Sequence, residues 1–144
     1  MGVTITATNS NCDFDMGYGG FLNLRRNIAF ALDKDFGNEY SSLKETIFLW
    51  EGEYKFQLEF TMNIINKKHL DDEYKDVLDF LFMPDTEGKI SYKTCRKIAG
   101  LLESRMSELK EKSFRYAAQA GNDYEDFVKF LKECVRYHRN MRWF

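Results

Sequence analysis

The chain has 144 residues, 44% hydrophobic and 16% aromatic, with 21 Lys plus Arg against 23 Asp plus Glu for a formal charge of −2. Thirteen Phe and eight Tyr can fill a core, and a chain of this size buries roughly 68–70% of its unfolded surface, so the composition excludes a disordered chain. The near-balanced charge lacks the basic excess of a general nucleic-acid binder, and the sequence holds neither a signal-peptide core nor an apolar run of the roughly 18 residues that a membrane span needs.

In chain order, the first pattern is "VTITAT" (3–8), in which Val3, Ile5 and Ala7 alternate with threonines. Period two in β-branched residues predicts a strand. Asn9, Ser10 and Asn11 supply turn chemistry, and "CDFDMGY" alternates again through Cys12, Phe14, Met16 and Tyr18. The two runs predict a β-hairpin that must lie on helices, since an isolated hairpin is marginal in water. Phe21, Leu24, Ile28 and Leu32 then step at helical spacing, broadened by Leu22 and Ala29, with Gly37 read as a turn or C-terminal cap.

From Leu43 to Ile65, apolar positions recur every three or four residues on both sides of Gly52. This predicts one kinked helix or two nearly collinear ones, ending at the cations of "NKKHL". Residues 71–83 open with acids and stop at Pro84, the only proline, because the residue before proline avoids the helical region. Ser91 is the expected N-cap of a helix carrying Cys95, Ile98, Leu101, Leu102 and Met106. Asn122 or Asp123 is expected to cap a last helix with Tyr124, Phe127, Phe130, Leu131, Cys134 and Val135 on one face. The expected architecture is mainly α within α+β: one domain spanning 1–144, with a hairpin and glycine-rich corner (1–20) packed on a body of about five helices (21–144).

Three segments invite a chemical reading. Gly17, Tyr18, Gly19 and Gly20 precede a helix that carries Arg25 and Arg26. The spacing misses the dinucleotide fingerprint, whose third glycine falls on Leu22. A looser anion site remains open, because helix N-terminal amides attract phosphate; the alternative is a structural corner using glycine for positive φ. "MPDTEGKISYKT" (83–94) looks like part of an EF-hand loop, but Met83 and Thr94 stand where calcium needs oxygen ligands. It therefore reads as a helix–turn–helix corner. The C-terminal run holds Arg136, Tyr137, His138, Arg139, Arg142, Trp143 and Phe144 with no acid among them. Basic plus aromatic is the chemistry of a nucleic-acid or anionic-ligand contact, and Tyr, Trp and Arg are also favoured at protein interfaces, so this run is a candidate contact surface, first of all in a homodimer or with another protein. The other reading places cations at a helix end, with Trp143 and Phe144 as anchors to the core or to a second subunit.

Cys12, Cys95 and Cys134 are odd in number and widely spaced, which predicts free thiols in a reducing cytoplasm. His69 and His138 have no metal-spaced partner. No cofactor, no metal site and no catalytic constellation is expected; an enzyme built on Cys95 or Cys134 is the third class considered.

"GVTITATNSNCDFDMGYGGFLNLRRNIA", "DVLDFLFMPDTEGKISYKTCRKI" and "DYEDFVKFLKECV" with the terminal "MRWF" together resemble a family of small, uncharacterised phage and prophage proteins of Gram-positive bacteria. The resemblance implies a phage-encoded cytoplasmic accessory protein and supplies no residue roles. The leading expectation is a non-catalytic binding protein acting on a host or anti-phage defence component. The alternative is a binder that sequesters a nucleotide second messenger at the glycine-rich corner.

Overall fold

The computed structural model describes residues 2–8, 13–45, 51–105 and 124–144. Strand β1 (Gly2–Ala7) pairs antiparallel with β2 (Asp13–Gly17) in the expected hairpin. Helices α1 (Tyr18–Leu32), α2 (Lys34–Glu45), α3 (Glu51–Lys68) and α4 (Asp71–Phe82) follow. The short strand β3 (Gly88–Ile90) leads into α5 (Tyr92–Ser104), and α6 (Tyr124–Arg136) leads into the terminal strand β4 (Met141–Trp143). The protein is thus mainly helical with a small antiparallel sheet. The expected Asn9–Asn11 turn, Cys12, Met106 and the Asn122 or Asp123 cap lie outside the described residues.

The sheet has the order β2-β1-β4-β3, so the last strand of the chain sits in its interior beside the first. The alternation predicted for β1 holds: Val3, Ile5 and Ala7 are buried. Their register builds two rows on the buried face, Ile5–Trp143–Gly88 and Ala7–Met141–Ile90. Backbone bonds between Thr4 and Phe144 extend the β1–β4 ladder in both directions, at 3.0 and 3.1 Å. Segment 83–94 is therefore not a plain helix–turn–helix corner. Its Gly88–Ile90 portion is a sheet edge, recruited by β4.

Gly88 has a steric role. A Cβ built on it would overlap the six-membered ring of Trp143, and that ring is held between Phe21 and Phe80, at centroid distances of 5.7 and 5.3 Å. A small residue beside a large one lets the row close.

The helical stripes bury as their periodicity implies: Phe21, Leu24, Ile28 and Ala29 on α1, Val77, Leu78 and Leu81 on α4, and Ile98 and Leu102 on α5 against Phe127, Leu131 and Cys134 on α6. Pro84 ends α4 as expected, with Met83 extended at φ −69°, ψ 156°. Ser91 caps α5, its hydroxyl accepting from the Thr94 amide at 3.4 Å. Asp76 on α4 accepts from Thr94 at 3.0 Å and from Lys97 at 3.1 Å, which clamps α4 to α5.

Two expectations need correction. Gly37 does not end α1; it lies inside α2, and the break falls at Asp33. The Asp33 carboxylate accepts from the Phe36 amide at 3.0 Å, an N-cap geometry. Burial pushes this carboxyl upward, but the Phe36 amide and Lys68 outweigh it and hold it below its ordinary range. Gly37 is glycine because a Cβ there would crowd the ring and backbone of Phe30 on α1, at 2.5–2.8 Å. Second, α2 and α3 are not collinear. Gln57 bonds Glu39 at 2.6 Å while Lys68 reaches back to Asp33 at 3.0 Å and Asp35 at 2.6 Å, so α3 turns back along α2. Gly52 lies within α3, and residues 46–50 between the helices lie outside the described set.

The two histidines share one structural role. His69 (φ 55°) and His138 (φ 51°) are the only non-glycine residues with positive φ among those described. After α3, Leu70 donates to Ile65 at 3.1 Å and His69 to Asn66 at 3.3 Å; after α6, Arg139 donates to Cys134 at 2.8 Å and His138 to Val135 at 3.3 Å. Both pairs are the 6→1 and 5→2 bonds of a Schellman motif, with histidine where glycine is usual.

Two outcomes follow. Gly88→Ala should lower the unfolding free energy by about 1–3 kcal/mol, because the Trp143 ring has nowhere to move; urea denaturation measures it. His69→Gly should raise stability by up to about 1 kcal/mol, since it relieves the left-handed backbone without removing a core contact; a higher melting temperature is the readout.

Candidate functional site

The candidate residues fall in two places, and the structure treats them differently. Gly17 is the last residue of β2, while Tyr18, Gly19 and Gly20 form the first turn of α1, so strand passes into helix with no glycine loop between. Gly19 is exposed, an added Cβ would meet nothing within 4 Å, and its φ lies outside the left-handed region. The expected positive-φ corner is therefore not the geometry at Gly19.

Arg25 leaves the candidate set altogether. Only 2% of its surface is exposed. Its Nη1 donates to the Met83 carbonyl at 2.7 Å and its Nη2 to the Pro84 carbonyl at 3.3 Å. Trp143 Nε1 donates to the same Pro84 carbonyl at 3.1 Å, and the Tyr40 hydroxyl donates to the Leu81 carbonyl at 2.7 Å. The guanidinium carbon lies 4.4, 5.1 and 5.8 Å from the ring centroids of Phe21, Phe80 and Trp143.

The physical reason is the end of α4. The last carbonyls of a helix have no partner in the helix and carry its negative pole. Here Pro84 stops the chain from continuing; the Leu81 carbonyl of the last turn takes the Tyr40 hydroxyl, and the Met83 and Pro84 carbonyls just past the helix end take Arg25 and Trp143. A planar cation with several donors satisfies them, and aromatic faces accept its charge. Burial lowers the Arg25 pKa, opposed by Tyr40 and Asp85, but arginine stays protonated at any working pH. The Tyr40 hydroxyl moves the other way: burial raises its pKa, opposed by Arg25. Arg26, next along the helix, is half-buried. The paired arginines thus divide: Arg25 belongs to the interior and is not available to a phosphate.

The C-terminal run also divides. Trp143 is 1% exposed and belongs to the core, so the sequence reading of it as a contact residue is replaced by its reading as an anchor. Arg136, Tyr137, His138, Arg142 and Phe144 are exposed and Arg139 is half-buried. The fold places them as follows. Arg136 ends α6, where a cation suits the dipole. The Schellman turn at Tyr137–His138 swings the chain into β4, whose alternation buries Met141 and Trp143 and turns Arg142 and Phe144 outward.

The exposed members are held by one another. The Tyr137 ring lies 5.3 Å from the Arg136 guanidinium carbon and 5.0 Å from that of Arg139. Arg142 lies 5.8 Å from the Phe144 ring. His138 stacks on Tyr92 with centroids 4.5 Å apart and planes 13° from parallel. Across the ladder, Arg142 is opposite Lys89, which is also exposed. No acid pairs with any of these four cations among the described residues. Lys89 is a contribution that sequence reasoning missed, because only the β3–β4 register brings it beside Arg142.

Elsewhere, Cys95 and Cys134 are free and buried. Their mutual hydrogen bond holds the Cys95 thiol upward, as burial also does, and holds the Cys134 thiol downward against burial. Burial likewise pushes the Tyr124 hydroxyl up to about 12, opposed by the Asn27 amide. Among the described residues no group of three or more His, Cys, Asp and Glu is placed to hold a metal, and no helix is long and apolar enough to cross a membrane. No protein-family model, curated protein or solved structure matches the chain.

Arg25→Met keeps much of the side-chain volume but takes the side-chain donor from the Met83 carbonyl, while the Pro84 carbonyl keeps Trp143 and the Leu81 carbonyl keeps Tyr40. At about 1–3 kcal/mol for an acceptor left unsatisfied, it should cost on that order, read as a drop in the urea midpoint. Arg26→Met should cost much less.

Proposed function

We propose that this is a non-catalytic, phage-encoded binding protein that acts on a host or anti-phage defence protein, with the exposed residues of Arg136–Phe144 as its contact face. The observation that carries the reading is the Tyr137 ring at the surface within 5.3 Å of the Arg136 and 5.0 Å of the Arg139 guanidinium carbon, with no acid ion-paired to either arginine among the described residues. Unneutralised guanidinium groups ordered on aromatic rings suit an acidic protein surface. Their rotamers are restrained before binding, which lowers the ordering cost on association. Tyr and Arg are also the residue types that concentrate binding energy. The phage setting rests on the resemblance of the three segments quoted above.

The nucleotide-binding alternative loses one of its two cations to the interior, so the protein-binding reading is preferred. Its test cannot be truncation of the tail. Removing residues 136–144 would take out β4, an inner strand, and with it Trp143. Point variants on the outer face avoid this.

Arg139→Glu and Tyr137→Ala should leave the melting temperature nearly unchanged and weaken capture of the partner from host-cell lysate by about 30-fold or more, the scale of a hot-spot loss of about 2 kcal/mol. Lys132→Ala, on the outer side of α6, is the control and should bind normally. Equal capture by all three variants would remove the contact face from these residues.

A further inference from the structure

Helix α3 packs on α2 through one face, where Thr61 and Ile65 are buried. Its opposite face carries two phenylalanines in solvent: Phe56 is 70% exposed and Phe60 49%. They do not stand alone. Glu53, Phe56, Phe60, Asn63 and Lys67 follow one another at intervals of three, four, three and four, and all five are exposed. That is the spacing of positions along a helix–helix seam, apolar here at Phe56 and Phe60 and polar at the others, with no helix of the described residues against it.

The charges at the ends of this stripe decide what fits it. Glu53 lies seven residues before Phe60 and Lys67 seven residues after it. Neither forms an ion pair among the described residues. A second copy of the helix laid antiparallel, with a two-fold axis passing at Phe60, places Glu53 of each copy against Lys67 of the other. It stacks the two Phe60 rings at the centre and sets Phe56 against Asn63 and Ile64 of the second copy. A parallel arrangement puts Glu53 on Glu53 and Lys67 on Lys67, and like charges repel. The stripe is thus complementary to itself in one orientation only, which is the condition for an isologous interface. Exposed ion pairs contribute little affinity; here they choose the orientation, and the phenylalanines supply the apolar area.

We infer that the outer face of α3 is a homodimerisation surface on which two copies pair antiparallel about Phe60. It involves none of the residues of the Arg136–Phe144 face, so both can operate at once. An interface made by one helix from each copy is at the small end for protein pairs, and the dimer is weak and concentration-dependent.

Charge reversal gives a test that a folding defect cannot mimic. Sedimentation velocity of the full chain, from low micromolar to several hundred micromolar, should show a shift from monomer to dimer. Phe60→Asp should stay monomeric throughout. Glu53→Lys alone, which puts Lys against Lys at both ends, and Lys67→Glu alone, which puts Glu against Glu, should each dimerise more weakly than the unaltered chain. Mixed in equal amounts, these two variants pair Lys with Glu at both ends, and they should form a one-to-one heterodimer more readily than either self-associates. All the altered side chains are in solvent, and unchanged circular dichroism confirms folding. A chain that remains monomeric at every concentration overturns the inference. So does a dimer that is indifferent to Phe60→Asp, or a mixture that associates no better than its components.

Discussion

Three elements distant in sequence, α1, α2 and β4, meet at the end of α4, where the Leu81 carbonyl and the two carbonyls just past the helix take their donors. Arg25 comes from α1, Tyr40 from α2 and Trp143 from β4, and each donates to a carbonyl of the stretch 81–84. A buried guanidinium with no carboxylate ion-paired to it among the described residues is costly in isolation. Here the negative pole of α4 and three aromatic faces offset that cost. The arrangement fixes more than one helix end. Trp143 is held by its indole bond and by Phe21 and Phe80, so β4 is pinned between β1 and β3. The narrow row at Gly88 follows from the size of the same ring.

This explains which parts of the fold were legible. Patterns written within one element were read correctly: the alternation of Val3, Ile5 and Ala7, the stripes of α1, α4, α5 and α6, the Ser91 cap and the stop at Pro84. Each depends on neighbours a few residues away. What escaped depends on partners far along the chain. Met141–Trp143 is too short to show a period, and it is a strand because β1 and β3 flank it. Arg25 beside Arg26 reads as surface charge, since nothing local says that one arginine turns inward. Gly37 reads as a stop, although its lack of a Cβ serves a close approach to Phe30.

The phase of α2 and α3 misled for a related reason. A spacing of three and four residues persists across both helices and is silent about the reversal between them. On α3 the apolar residues belong to two faces. Ile65 is buried toward α2, whereas Phe56 and Phe60 point away from it. A linear count of apolar positions merges the two. Of the candidate surface, the residue types at the C-terminus were legible. Their division into outward Arg142 and Phe144 and inward Met141 and Trp143 required the strand, as did the neighbouring Lys89. The resulting surface is a tight turn and a strand whose inward residues, Met141 and Trp143, are buried in the core.

The central claim is that Arg25 and Trp143 act as one unit at the end of α4. A double-mutant cycle of Arg25→Met and Trp143→Leu, followed by urea unfolding, tests it most directly. The account predicts that the double variant loses less stability than the sum of the two single losses, with a coupling of about 1–3 kcal/mol, the range for residues sharing a network. Strict additivity, within about 0.3–0.5 kcal/mol, would contradict it.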